Sequence, residues 1–161
     1  MQLIISDAHE GLKAARKAVF AGVPWQCCQF HLQQNAQAYV PRQDLKTAVA
    51  SGIRAVFNAP NEAEAKRLLS TFVEHYAKTA PALSEWAEHN VPEGLTVLQF
   101  PAAHQRRLRT SNPLERVNRE LHRRTRVASL FPNEKSCERL VSALLIELAE
   151  EWQTGKTYLT M

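Results

Sequence analysis

Nowhere in the 161 residues is there an apolar run approaching the roughly 18 residues that a membrane-crossing helix needs. The opening segment, Met1 to Gly11, has no basic region ahead of its short apolar stretch, so no secretory leader is expected either. There are only three cysteines, two of them adjacent (Cys27 and Cys28), which is too few for a disulfide framework. A soluble chain in a reducing cytoplasm is therefore expected. Glycine is scarce, at five residues, and none of it forms the glycine-rich loop that cradles a nucleotide phosphate. No Gly-x-Ser-x-Gly is present and Cys28 lacks an acidic third partner, so acyl transfer by an activated nucleophile is not expected. With 45% apolar residues and so little glycine, the composition fits a folded, mostly helical protein and not a disordered one. The length suits one domain with a substantial core, alone or with a helical subdomain.

What the chain does hold is concentrated positive charge. Between Gln105 and Arg126 stand eight arginines (Arg106, Arg107, Arg109, Arg116, Arg119, Arg123, Arg124 and Arg126) against Glu115 and Glu120 alone. That segment carries +6 and the whole chain +4, so the remaining residues sum to −2. Basic charge confined to one segment is the footprint of a protein that grips a phosphate backbone. Arg116, Arg119, Arg123 and Arg126 recur at three- and four-residue steps and form one stripe along a helix. Like charges at that spacing repel, so the stripe costs stability unless an anion lies along it.

The elements can be read in order. Gln2 to Ile5 is a short β-branched run ending at Ser6-Asp7, as a buried strand does at the edge of its sheet. Ala8 to Ala21 has helical periodicity and is closed by Gly22. Val23 to Phe30 reads as a second strand that delivers Cys28 and His31. Helices are predicted over Asp44–Asn58 and Asn61–Thr79, with Pro60, Pro81 and Pro92 at the boundaries; Phe72, Tyr76 and Trp86 lie on apolar stripes and are assigned to the core. Leu95 to Phe100 reads as a strand or extended connector. Asn112 caps the arginine helix, with Pro113 at its first position and Glu115 at its third. Asn133 caps a last helix whose apolar face holds Leu140, Ala143, Leu144, Leu148 and Trp152. The fold class expected is α/β, mostly helical, with two central strands and an all-helical insertion between the second strand and the arginine helix.

Several residues carry two readings. Asp7 stands where α/β proteins put acids that meet ligands, yet it equally suits a helix cap. Glu115 completes a capping box with Asn112, in which the carboxylate bonds back to the cap's own N–H. Cys28 and His31 have the Cys-x-x-His spacing of a zinc pair, but a structural zinc site takes four ligands and no second close pair follows; Cys28 reads equally as a small buried hydrophobe. Isolated acids at element ends beside a dense arginine field suit metal-assisted phosphodiester chemistry, in which carboxylates hold two Mg2+ ions roughly 4 Å apart while arginines hold the backbone.

The run Asn112, Glu115, Arg116, Asn118, Glu120, then Arg123 to Val127 and Phe131 to Asn133, resembles the signature of the Mutator-type transposases of bacterial insertion sequences. Ser6 to Leu12, and Trp25 with Cys28 to His31, match two further motifs of that family in the same order. The resemblance implies a partial RNase H-like fold, with residues 1–34 and 105–161 as catalytic core and 35–104 as a helical insertion. It implies that Asp7 and Glu115 are catalytic, two of three carboxylates holding Mg2+, or Mn2+ in its place, for DNA strand cleavage and strand transfer at insertion-sequence ends without a covalent protein intermediate. Glu120 competes with Glu115, but five residues rotate a helix by about 140°, so both cannot face one metal. His9, Cys28, His31, Asn112 and Asn118 would lie beside the active site, and Arg109, Arg116, Arg119, Arg123, Arg124 and Arg126 would grip DNA. Double-stranded DNA, both transposon ends and target, is the implied partner, with no membrane and a bacterial cytoplasm with its nucleoid as the setting; the sequence leaves the oligomeric state open, a homodimer included. Only six residues precede Asp7, whereas the family's first catalytic Asp lies on an earlier strand. The chain is therefore expected to be truncated and inactive alone. The alternative is a non-catalytic helical module that binds DNA through the arginine helix, with Glu115 as a cap only.

Overall fold

The computed structural model describes residues 2–128 and 130–155; residues 156–161 of the expected 105–161 segment lie outside them. The described residues are mostly helical, with one small sheet. Two compact units divide the chain, Met1–Ser111 and Asn112–Met161.

In the first unit β1 (Ile4–Ser6) and β2 (Trp25–Cys27) pair in parallel, joined by α1 (Glu10–Val19), with Ile4 opposite Trp25, Ile5 opposite Gln26 and Ser6 opposite Cys27. A parallel pair needs such a crossover, since no tight turn can return the chain in the same direction. Both strands exist but with other bounds than read: β1 starts later than Gln2 and includes Ser6, β2 is shorter, and Phe30 and His31 belong to α2 (Gln29–Ala36) and not to a strand. The reason is Cys28, which ends the pairing: its N–H donates to the Ser6 carbonyl at 2.8 Å and its own carbonyl accepts from Leu32 N–H, opening the helix.

The helical part follows the apolar periodicity closely. α3 (Lys46–Phe57), α4 (Glu62–Tyr76) and α5 (Pro81–Asn90) enclose the core with α2. Val49, Ile53, Phe57, Leu69, Phe72 and Tyr76 are buried as their spacing predicts. Trp86, half-buried, packs on this core and stacks on Tyr39. Asn61 caps α4, its Oδ1 accepting from Glu64 N–H at 2.9 Å, while Glu62 and Glu64 place negative charge at the helix's positive end. Pro81 opens α5 at a position whose N–H needs no partner.

Gly52 marks the closest approach of α3 to α4, because a Cβ there would stand 2.8 Å from the Phe72 ring. Gly52→Val is expected to lower stability by about 2 kcal/mol through overpacking, read as a lower urea midpoint at unchanged slope.

Residues 95–100 are a correction. They form neither strand nor extended connector but a 3-10 turn at Thr96–Gln99, preceded by another at Val91–Gly94. The cause is a polar side chain inside the core. Gln26 is fully buried on β2; its amide nitrogen donates to the carbonyls of Cys27 and Gly94, and its oxygen accepts from Val97 N–H at 2.7 Å. Gln29 donates to the same Gly94 carbonyl at 2.8 Å. Backbone groups that a strand would have paired are satisfied by glutamine instead. Gly94 has no room for a side chain there, since a Cβ would meet Leu32 at 2.7 Å. α6 (Ala102–Leu108) closes this unit.

The second unit contains α7 (Asn112–Ala128) and α8 (Glu134–Thr154), packed on each other. Asn133 caps α8 as predicted, its Oδ1 accepting from Ser136 N–H at 2.9 Å. Of the apolar face read on α8, Leu144 is buried, Leu140 and Leu148 are half-buried, and Ala143 and Trp152 are exposed. Among the described residues no helix is long and apolar enough to cross a membrane.

Candidate functional site

Asp7 directly follows β1, with its side chain 52% exposed, and stands beside the first turn of α2. His31, the third residue of that helix and 27% exposed, places Nδ1 2.8 Å from Asp7 Oδ1. This is ion-pair distance at an angle outside good hydrogen-bond geometry. The contact joins residues 24 positions apart, and the parallel register makes it: Ser6 pairs with Cys27, so the residues that follow each strand emerge side by side.

The Cys-x-x-His spacing has its explanation in the same place. Cys28 is completely buried at the start of α2, where its Sγ accepts from Ser111 Oγ at 3.5 Å, and His31 follows three residues later, on the same helix face. Burial also pushes the neighbouring Cys27 thiol up to about 12, which keeps it protonated and unreactive at neutral pH.

The cap of α1 is His9 and not Asp7: the His9 Nδ1 accepts from Gly11 N–H at 3.1 Å. That leaves the Asp7 carboxylate to His31 and to solvent. A half-exposed carboxylate, with one oxygen facing an imidazole and the other without a protein partner among the described residues, is a hard oxygen donor that fits Mg2+ or Mn2+.

Glu115 lies in the first turn of α7 and is half-buried. Asn112, expected as the cap, is instead the first residue of that helix, which makes Glu115 its fourth residue and not its third; Asn118 is exposed along it. Its rival Glu120 is already engaged. Arg123 grips it with two donors, Nε at 2.9 Å and Nη2 at 2.7 Å, and Arg124 Nε adds a third at 2.8 Å. These hydrogen bonds, Arg123's first and Arg124's second, hold the Glu120 carboxyl at about 2, against an ordinary 4.5.

The arginines therefore sort into groups that the sequence stripe did not separate. Arg116, Arg119 and Arg126 are exposed along α7. Arg123 and Arg124 share Glu120, and Arg124 also approaches Glu147 on α8 at 4.0 Å. Repulsion along the stripe is thus relieved in part by an internal carboxylate, at the i,i+3 and i,i+4 spacings that bring such pairs together. Arg109 is half-buried in the first unit, where its Nη1 donates to Asn58 Oδ1 at 2.6 Å and its carbonyl accepts from Gln29 N–H at 2.9 Å. It serves there as a tie between elements.

Because the Glu120 carboxyl titrates far below its ordinary value, its ion pairs stabilise α7 fully above pH 4.5. They are lost only as pH falls toward about 2. An NMR titration of the Glu120 side-chain carbon is expected to show no protonation at pH 4, where an unpaired Glu would be largely protonated.

The sequence is matched from residue 1 to 155 by the family model described as Transposase, Mutator family. It is 63% identical over 157 residues to the transposase for insertion sequence element IS406 of Burkholderia multivorans, covering 98% of this chain and 40% of that protein. It is 35% identical over 161 residues to the transposase for ISRM5 of Rhizobium meliloti, covering all of this chain and 40% of the relative. It is also 32% identical over 158 residues to the transposase for IS256 in transposon Tn4001 of Staphylococcus aureus, covering 94% and 39%. The chain spans about 40% of the length of the curated relatives it matches.

Proposed function

Since this chain belongs to the Mutator family of transposases, we propose that it is part of the catalytic region of a DNA transposase, in which Asp7 and Glu115 are metal-binding carboxylates. The observation that carries this reading is the placement of Asp7: a half-exposed acid at a strand end, beside the positive end of a helix, with one oxygen held by His31. Glu115 is preferred over Glu120 for its place in the family motif and in the first turn of α7. The chain spans about 40% of the length of these relatives, so the strand cleavage proposed is that of the whole protein. Residues 1–34 and 105–161 then belong to an RNase H-like core, with 35–104 as its helical insertion.

Asp7 and Glu115 would hold a pair of Mg2+ or Mn2+ ions, whose chemistry there would be to activate the attacking oxygen and to stabilise the leaving one. The chain's own residues supply the rest. Asp7 and Glu115 provide hard oxygen ligands, and His31 fixes the first of them. Arg116, Arg119 and Arg126 hold the phosphate backbone of double-stranded DNA, transposon end or target, without reading its sequence.

A second reading, a DNA-binding module without catalysis, is favoured by the same exposed arginines. DNA affinity of the chain measured at two salt concentrations tests the feature both share. Three phosphate contacts predict a slope of about −2.7 in log K against log salt, or roughly 40-fold weaker binding at 200 mM than at 50 mM. Affinity independent of salt would remove both readings. Glu120→Ala frees Arg123 and Arg124, and is expected to steepen the slope by about 2. Strand transfer by the intact protein, lost in Asp7→Asn, then separates the transposase from the passive binder.

A further inference from the structure

The geometry points to His31 as a positioning residue for Asp7: its Nδ1 side holds one carboxylate oxygen so that the other is presented to a divalent cation. This rests on the metal-binding reading of Asp7 and names the group that orients it.

Three observations carry the inference. The first is the 2.8 Å approach of His31 Nδ1 to Asp7 Oδ1. At that separation the ring edge and the carboxylate oxygen are in direct ion-pair contact, which limits where the Asp7 side chain can turn. The second is that His31 is itself held. It sits in the first turn of α2, whose start is fixed by Cys28 N–H donating to the Ser6 carbonyl and Gln29 N–H donating to the Arg109 carbonyl. The Phe30 ring meets the His31 ring edge-on at 5.5 Å between centroids. The third is that Asp7 has nothing else to hold it. It does not cap α1, because His9 does, and its other oxygen has no protein partner among the described residues.

A half-exposed Asp free of other contacts samples several rotamers, whereas a metal ligand has to be kept in one. Metal-binding carboxylates are themselves commonly hydrogen-bonded, and removing such a partner weakens metal affinity by about 10- to 100-fold. On this reading the Cys-x-x-His spacing is a mechanical device: Cys28 buries the helix start, and His31, one turn on, meets the acid at the end of the neighbouring strand.

The test compares the full chain with His31→Ala and His31→Asn. Asparagine is the conservative variant because its amide nitrogen occupies nearly the place of Nδ1 relative to Cβ. Two readouts are taken by NMR: the Asp7 χ1 rotamer from Cα–Cβ proton couplings, and the broadening of the Ser6–Ala8 amide signals by added Mn2+. A single Asp7 rotamer is expected in the unaltered chain, averaged rotamers in His31→Ala, and a single rotamer again in His31→Asn. Mn2+ broadening should need at least tenfold more metal in His31→Ala and recover most of the way in His31→Asn. An unchanged rotamer in His31→Ala, or no recovery in His31→Asn, would overturn the inference. A fixed rotamer without any Mn2+ broadening in the unaltered chain would overturn the metal reading and leave the hold of His31 on Asp7 standing.

Discussion

Asp7→Asn in the intact transposase is expected to lower DNA strand cleavage by roughly 10³-fold, with little change in melting temperature or DNA affinity. The magnitude follows from the several kcal/mol that a well-placed metal contributes to the transition state, each 1.4 kcal/mol being about tenfold in rate. Asparagine keeps the size of the side chain but removes the charge that, on the proposed reading, holds the cation. Because the carboxylate is half-exposed and outside the apolar core, the fold loses little. Glu115→Gln is expected to have a comparable effect on cleavage. If Glu115 serves only as a helix cap, the same change alters stability by about 1 kcal/mol and leaves cleavage intact. Single-turnover cleavage together with a melting curve on each variant distinguishes these outcomes.

Gln26→Leu is the substitution expected to cost the most stability, about 4 kcal/mol, or roughly 12 °C in melting temperature for a chain of this size. Leucine is close to glutamine in volume, so no large cavity opens. The loss is in polar pairing: Val97 N–H forfeits its acceptor and the Cys27 carbonyl its donor, in a site closed to water. Each buried group left unpaired costs about 1–3 kcal/mol. Gln29→Leu is expected to cost only about 1 kcal/mol, because the Gly94 carbonyl retains the Gln26 amide. Equal losses for the two variants would mean that the core does not depend on Gln26 as described. The effect reaches the site, because Gln26 fixes the 3-10 turns to β2, the strand whose end leads into the helix bearing His31.

The elements legible in the sequence are those with a long apolar period and a chemical stop. α3 and α4 follow their stripes, α8 does so only in part because Leu144 alone of its apolar face is buried, and Asn61 and Asn133 cap where capping chemistry places them. The family was legible for a different reason: three motifs stand in order along the whole chain. What could not be read was decided by contacts between distant residues. A glutamine between Trp25 and Cys27 looks like a solvent-facing strand position, and nothing local says that it will pair with Gly94 and Val97 some 70 residues away. The strand drawn through Phe30 failed because Cys28, apolar in the pattern, starts a helix. Asp7 suited the cap of α1, yet the fold gives that place to His9. The grip of Arg123 and Arg124 on Glu120 is written in the i,i+3 and i,i+4 spacing, whose attraction offsets part of the repulsion within the stripe.

The measurement that bears most directly on the account is Mn2+ binding to the intact protein, followed by electron paramagnetic resonance in Asp7→Asn, Glu115→Gln and Glu120→Gln. The account predicts that the first two lose the bound ion while the third keeps it. Mn2+ bound as tightly in Asp7→Asn and Glu115→Gln as in the unaltered protein would contradict it.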